Sequence, residues 1–225
     1  MKKISWLFVI LVLINASCKK EETIEVPVDS QMYSVIVTTN WSSNTHPTDY
    51  PDNAHFSTFV GMSHKSSINL FKVGEKSSPG VKLMAETGKT EILNEEITEY
   101  VSNKTSLASL QNSSGISTGI GTMEATILVS SEFSLVSLVS MIAPSPDWFV
   151  GIENVNLYSN GEFLNDVVID LESFDAGTDK GLSFKTPNDA NDPAEAIYVI
   201  NDAPLGNGSS VNPSLGSVRF IKLAQ

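Results

Sequence analysis

The chain has 225 residues, 41% hydrophobic and 18% charged, a composition that can bury a core and excludes wholesale disorder. Lys+Arg number 14 against 26 Asp+Glu, and the resulting net charge of −12 repels phosphate backbones, so nucleic acid is excluded as a main partner. With 1 cysteine and 3 histidines there is no internal disulfide framework, no multi-cysteine zinc or iron–sulfur site and no histidine-rich metal cluster.

The first 18 residues read as an address. Lys2 and Lys3 precede an apolar run from Trp6 to Ile14, which is short of the roughly 20 apolar residues that span a bilayer. Asn15, Ala16 and Ser17 follow, and then Cys18. The arrangement resembles a bacterial lipoprotein signal, in which the cysteine is lipidated and becomes the new N-terminus. Asn15 departs from the usual aliphatic residue three before the cysteine, and an ordinary secretory signal with a chance cysteine is the alternative. The expectation is a signal peptide over 1–17, a lipidated Cys18 with its tether over 18–30, and one domain over 31–225. The protein would then be lipid-anchored in the bacterial cell envelope, at the outer membrane or cell surface. Each buried CH₂ of an acyl chain contributes about 0.8 kcal/mol, so a multiply acylated cysteine would hold a domain at the membrane. Loss of 1–17 removes Lys2 and Lys3 and no acid, which takes the formal charge from −12 to −14. The tether KKEETIEVPVDS is charged and aperiodic.

From Met32 onward the pattern predicts strands. They fall at 32–38, 125–130, 134–142, 148–152, 154–158, 166–171, 197–200 and 217–223, several alternating apolar and polar residues with period two. Ser159-Asn160-Gly161, Pro187-Asn188-Asp189 and the stretch from Pro204 to Gly208 supply turns between them. One helix is expected over 90–101, where Leu93, Ile97, Tyr100 and Val101 share a face and Glu91, Glu95, Glu96 and Glu99 form a solvated one. A second short helix is expected over 105–111, and 113–121 reads as a Ser/Gly-rich loop. Many short strands with few helices predict an all-β fold, an antiparallel β-sandwich or barrel with one or two short helices.

Enzyme motifs are absent: there is no Gly-x-Ser-x-Gly elbow, HExxH, P-loop or dinucleotide fingerprint. His46, His55 and His64 recur every nine residues, a spacing that gathers no pair on one helix face, so structural or surface roles are expected for them. The informative stretch is 140–184. Pro144 and Pro146 stiffen the loop that carries Asp147. Asp175 and Asp179 lie four residues apart around Gly177, which permits a tight turn. Three carboxylates on such loops suit a hard cation such as Ca²⁺, which takes about 6–8 oxygens in irregular geometry. The competing reading is that these aspartates cap turns through backbone N–H groups.

The chain also resembles the spondin N-terminal domain family, the module found in F-spondin and mindin. The resemblance is carried in order by Asn40-Trp41-Ser42, His46-Pro47, Ala54-His55-Phe56-Ser57, Gly61 with His64, Gly80-Val81-Lys82, and Ala85-Glu86 with Gly88. It continues through Met141 to Gly151 (MIAPSPDWFVG), Asp170-Leu171, and Asp175-Ala176-Gly177-Thr178-Asp179 with Gly181. It implies a C2-like antiparallel β-sandwich that holds Ca²⁺ in loops at one end, and the family's metal-binding carboxylates correspond to Asp147, Asp175 and Asp179. Animal members are matrix and adhesion proteins, and mindin binds microbial glycans and integrins. This chain departs from the pattern at Phe163, where many relatives carry Trp, and at Lys180, where a small Ser is common. It also lacks the cysteines of the animal members. The expected function is therefore a non-enzymatic, calcium-binding, membrane-anchored surface protein for adhesion or recognition of a surface glycan or protein ligand. The alternative is a glycan-binding module of the cell envelope in which Trp41 or Trp148 stacks on sugars, against core packing for both rings.

Overall fold

Alternation sets the first strand. In Ser30–Asn40 (β1), Tyr33, Val35, Val37 and Thr39 turn inward while Met32 and Thr38 face solvent. This is taken from a computed structural model that describes residue 27 and residues 29–207 and 214–224. The leader, Cys18 and most of the tether lie outside the described residues. β1 is flanked by two antiparallel neighbours, Gly216–Lys222 (β13) and Ile120–Ser130 (β5), with Val35 opposite both Phe220 and Ala125. Asp166–Asp170 (β10) completes a four-stranded sheet in the order β10-β13-β1-β5.

The second sheet runs Tyr198–Val199 (β12), Glu172–Asp175 (β11), Trp148–Asn156 (β7), Leu135–Ala143 (β6), Val60–His64 (β3) and Ser106–Ser109 (β4), and His55–Phe56 (β2) pairs with β6. Tyr158–Ser159 (β8) and Glu162–Phe163 (β9) form a hairpin across Asn160 and Gly161, both at positive φ as a two-residue turn requires. Two helices, Pro79–Thr87 (α1) and Glu91–Ser102 (α2), cover the second sheet.

Two cores follow. Between the sheets, Tyr33, Val35 and Phe220 meet Val136, Leu138, Trp148 and Val150. On the other face of the second sheet, Val139, Met141, Phe149 and Phe174 meet Val81, Met84, Leu93 and Ile97 of the helices. β6 and β7 are buried on both faces, which is why they read as nearly continuous apolar runs. Each fully buried large side chain contributes roughly 1.5–3 kcal/mol. The chain is an antiparallel, sandwich-like fold with two short helices, as its sequence predicts.

Three local expectations are corrected. The helix expected over 105–111 is instead the strand β4, paired with β3; a seven-residue helix closes few internal hydrogen bonds, and the open edge of the sheet offers a full ladder. The strands expected at 148–152 and 154–158 form one strand, β7, reaching Asn156, with Asn154 at φ 55. Helix α1 was not anticipated, although Ser78 caps it by accepting from Val81 N, Pro79 opens it and Gly88 closes it at φ 71. One member of the acidic face of α2 is not merely solvated. Glu96 accepts from Gly80 N and Ser78 Oγ, both at 2.7 Å, and pins the start of α1. Gly80 allows that approach, since a Cβ there would lie 2.6 Å from Leu93 Cα.

Candidate metal centre

The ladder brings the distant loops together. Asp175, the last residue of β11, stands opposite Trp148, the first of β7. The Pro-Ser-Pro-Asp loop before β7 and the Asp-Ala-Gly-Thr-Asp loop after β11 therefore leave the sheet at the same end. Ser145 Oγ accepts from Trp148 N at 3.1 Å and squares the first loop onto the strand. Gly177, at φ 72, turns the second, and a Cβ there would meet Glu195 O at 2.6 Å. Asn191 Nδ2 donates to Gly177 O and Asp179 O and closes this loop from outside.

Asp147, Asp175 and Asp179 are 0%, 4% and 3% exposed. Asp147 Oδ2 accepts from Thr178 N at 2.7 Å, Asp179 N at 3.0 Å and Thr178 Oγ1 at 3.2 Å, so the second loop wraps the carboxylate of the first. Its other oxygen, Oδ1, is buried and has no hydrogen-bond partner among the described residues. Asp175 Oδ1 accepts from Gly177 N at 2.8 Å, and its Oδ2 from Trp148 Nε1 at 3.0 Å and Tyr198 Oη at 2.9 Å. Asp179 uses both oxygens on backbone amides, Gly181 N at 2.7 Å and Asp189 N at 2.8 Å.

The structure thus brings Asp147 and Asp175 into electrostatic contact. Asp179 joins them through its amide, while its carboxylate serves its own loop. No group of three or more His, Cys, Asp or Glu side chains converges as a ready metal cage among the described residues. Turn capping, the competing reading, accounts for Asp179 and for one oxygen of each partner; it does not account for Asp147 Oδ1.

Charge bears on the same point. Burial, and then the neighbouring Asp175 charge, pushes the Asp147 carboxyl up to about 6, against the pull of the bonds from Thr178 and Asp179. Burial also raises Asp175, opposed by its bonds from Gly177, Tyr198 and Trp148. Among the described residues no Lys, Arg or His forms an ion pair with any of the three aspartates. Lys180 is committed to Asp189 at 2.8 Å. A cavity of about 350 Å³ opens beside Asp175 and Asp179, with Asn191, Glu195 and Tyr198 among its walls. A divalent cation fits this donor set, because it would compensate two buried carboxylates and engage the orphaned oxygen. Asp147 and Asp175 are the residues that would hold it, with Asp179 the third carboxylate available.

The other sequence candidates lie elsewhere. The three histidines do not gather. His64 is buried and bonded to Ser137 Oγ and Lys65 O, His55 Nδ1 meets Asn53 O, and His46 Nδ1 meets Thr45 Oγ1. Trp41 packs in the core against Tyr50, Phe56 and Phe184, and Trp148 against Phe184, so neither ring is offered to a sugar. The residues that sequence reasoning missed are Thr178, Tyr198 and the Trp148 indole as donors. Tyr198 carries no local motif, and only the β11–β12 ladder reveals its role.

The family model described as Spondin_N matches residues 31–211. Spondin-2 of Rattus norvegicus is 33% identical over 204 residues, covering 86% of this chain and 62% of the relative. Spondin-2 of Homo sapiens is 32% identical over the same length, with the same coverage of each. Spondin-1 of Gallus gallus is 31% identical over 190 residues, covering 81% of this chain and 23% of the relative. The chain therefore spans less than two thirds of the Spondin-2 relatives and less than a quarter of Spondin-1.

Proposed function

This chain belongs to the spondin N-terminal domain family, and on that premise we propose that it is a non-enzymatic, calcium-binding domain, lipid-anchored in a bacterial cell envelope, that serves adhesion or recognition at the surface. The observation that carries the calcium reading is Asp147 Oδ1, a buried carboxylate oxygen that lies next to a second buried carboxylate and has neither a donor nor a paired cation among the described residues. When bound, Ca²⁺ would supply positive charge and oxygen coordination. The chain's own part is to hold Asp147 by Thr178 and Asp179, to hold Asp175 by Gly177, Trp148 and Tyr198, and to keep the two loops joined. Anchoring rests on Cys18 and its leader, and the surface role rests on the family.

Titration calorimetry with Ca²⁺ tests the reading, paired with thermal melts in Ca²⁺ and in chelator. The expected result is heat on binding and a rise in Tm; at a hundredfold excess over Kd the folded state gains about 2.7 kcal/mol by mass action. Asp147→Ala should abolish both. No heat and no shift in the parent chain would sink the proposal.

A second reading is favoured by Tyr198. The residue is 45% exposed and lines two cavities of about 350 Å³ each. It is the aromatic face at this end that a glycan could stack on, in place of the two tryptophans. A glycan array probed with Ca²⁺ and with chelator checks this, and Tyr198→Ala should erase any hit that depends on the ring.

A further inference from the structure

Trp148, Asp175 and Tyr198 form a row across three strands. Asp175 of β11 stands opposite Trp148 of β7 on one side and opposite Tyr198 of β12 on the other. Residues directly opposite in a ladder place their side chains on the same face of the sheet, within reach of one another. Both neighbours use that proximity in the same way. The indole donates to Asp175 Oδ2 at 3.0 Å and the phenol to the same oxygen at 2.9 Å. Gly177 N holds the other oxygen at 2.8 Å.

From this geometry we infer that Trp148 and Tyr198 are positioning residues of the cation centre, fixing which lone pairs of Asp175 face the ion. The inference rests on the calcium reading above. A carboxylate at the end of a strand turns readily about its last torsion, a broad and shallow one. With three donors on two oxygens, that freedom is gone before any ion arrives. The two clamps differ in kind. Trp148 is 3% exposed and its ring lies 5.4 Å from Phe184, so the core holds it still. Tyr198 sits on a two-residue strand and is 45% exposed, so it is the half of the clamp nearer to solvent. Both act through Asp175, to whose Oδ2 each donates. Partners of this kind around a metal ligand typically matter by 10–100-fold in metal affinity.

The test uses the whole chain and Ca²⁺ alone. Tyr198→Phe keeps the ring and deletes the one hydroxyl. We expect Ca²⁺ affinity by calorimetry to fall about tenfold or more, with the Tm in chelator close to that of the parent. A ¹H–¹⁵N spectrum of the parent gives a readout that a merely structural role would not move. The Trp148 indole resonance, assigned through Trp148→Phe, should shift as Ca²⁺ is added. The Trp41 indole, buried and without a hydrogen-bond partner among the described residues, should stay in place as an internal reference. Wild-type affinity in Tyr198→Phe together with a stationary Trp148 indole would overturn the inference and leave the calcium reading standing. No Ca²⁺ heat in the parent would overturn both.

Discussion

Asp147 illustrates how one oxygen can set the behaviour of a site. Its carboxyl ordinarily titrates near 3.8 and is pushed up to about 6 in the fold. Between those values the native protein holds a proton that the unfolded chain has released, so this group's contribution to stability falls as pH rises. Above about pH 6 a charge penalty of about 3 kcal/mol remains in full. Asp147→Asn carries no such charge. In chelator the variant should therefore be the more stable of the two at about pH 7.5, with the gap closing towards about pH 4. In Ca²⁺ the order should reverse. Urea denaturation of both proteins under the four conditions reads this directly, and a variant that is weaker in chelator at neutral pH would refute the penalty. The acids themselves were legible in sequence as carboxylates on stiff or turning loops. Which of their oxygens stays free was not, because that depends on amides contributed by Gly181 and Asp189 and on a tyrosine 23 residues beyond Asp175.

Elements are joined by side chains as well as by ladders. His64 closes β3 and bonds Ser137 of β6 at 2.9 Å, and Ser137 in turn accepts from Asn154 N of β7 at 2.9 Å. A serine beside a histidine invites a catalytic reading, but both are fully buried, and here they join three strands. Burial lowers the His64 pKa below 6.5, partly offset by the ring's hydrogen bonds to the backbone of Lys65 and Ile68. The folded state therefore keeps the ring neutral. This contribution is fully present above the unfolded pKa of 6.5 and is lost as pH falls below it. Removing the ring in His64→Ala should cost about 2–3 kcal/mol near neutral pH. The difference from the parent should shrink towards about pH 5, as guanidinium melts at the two pH values would show. A constant difference would mean that the ring's neutrality is not what the fold uses. At this scale the sequence was informative wherever burial is one-sided, as in β1 and α2. It was misleading at Ser106–Ser109, where pairing with β3 overrode local preference, and silent at Glu172–Asp175, too short to show a period.

The molecule as a whole reads as a sandwich with a charged end. The strand pattern was enough to predict the layers. The meeting of loops 31 and 32 residues apart required the antiparallel register between β7 and β11. No helix among the described residues is long and apolar enough to cross a membrane. The proposed anchor rests on Cys18 and its leader, which lie outside the described residues. Metabolic labelling with an alkyne fatty acid in a bacterial host should tag the chain and place it with membranes. Cys18→Ser should lose the tag and release the protein to the aqueous fraction, whereas unchanged partitioning of the variant would remove lipidation from the picture. The uncompensated Asp147–Asp175 pair then has a consequence for how such a protein reaches its destination. A preformed pair of loops that carries an unbalanced charge where calcium is scarce and sheds that penalty where it is plentiful would suit a polypeptide made in one compartment and worked in another. Such a chain would travel less stable and gain its full hold on arrival, with the surrounding medium rather than a covalent bond supplying the rivet.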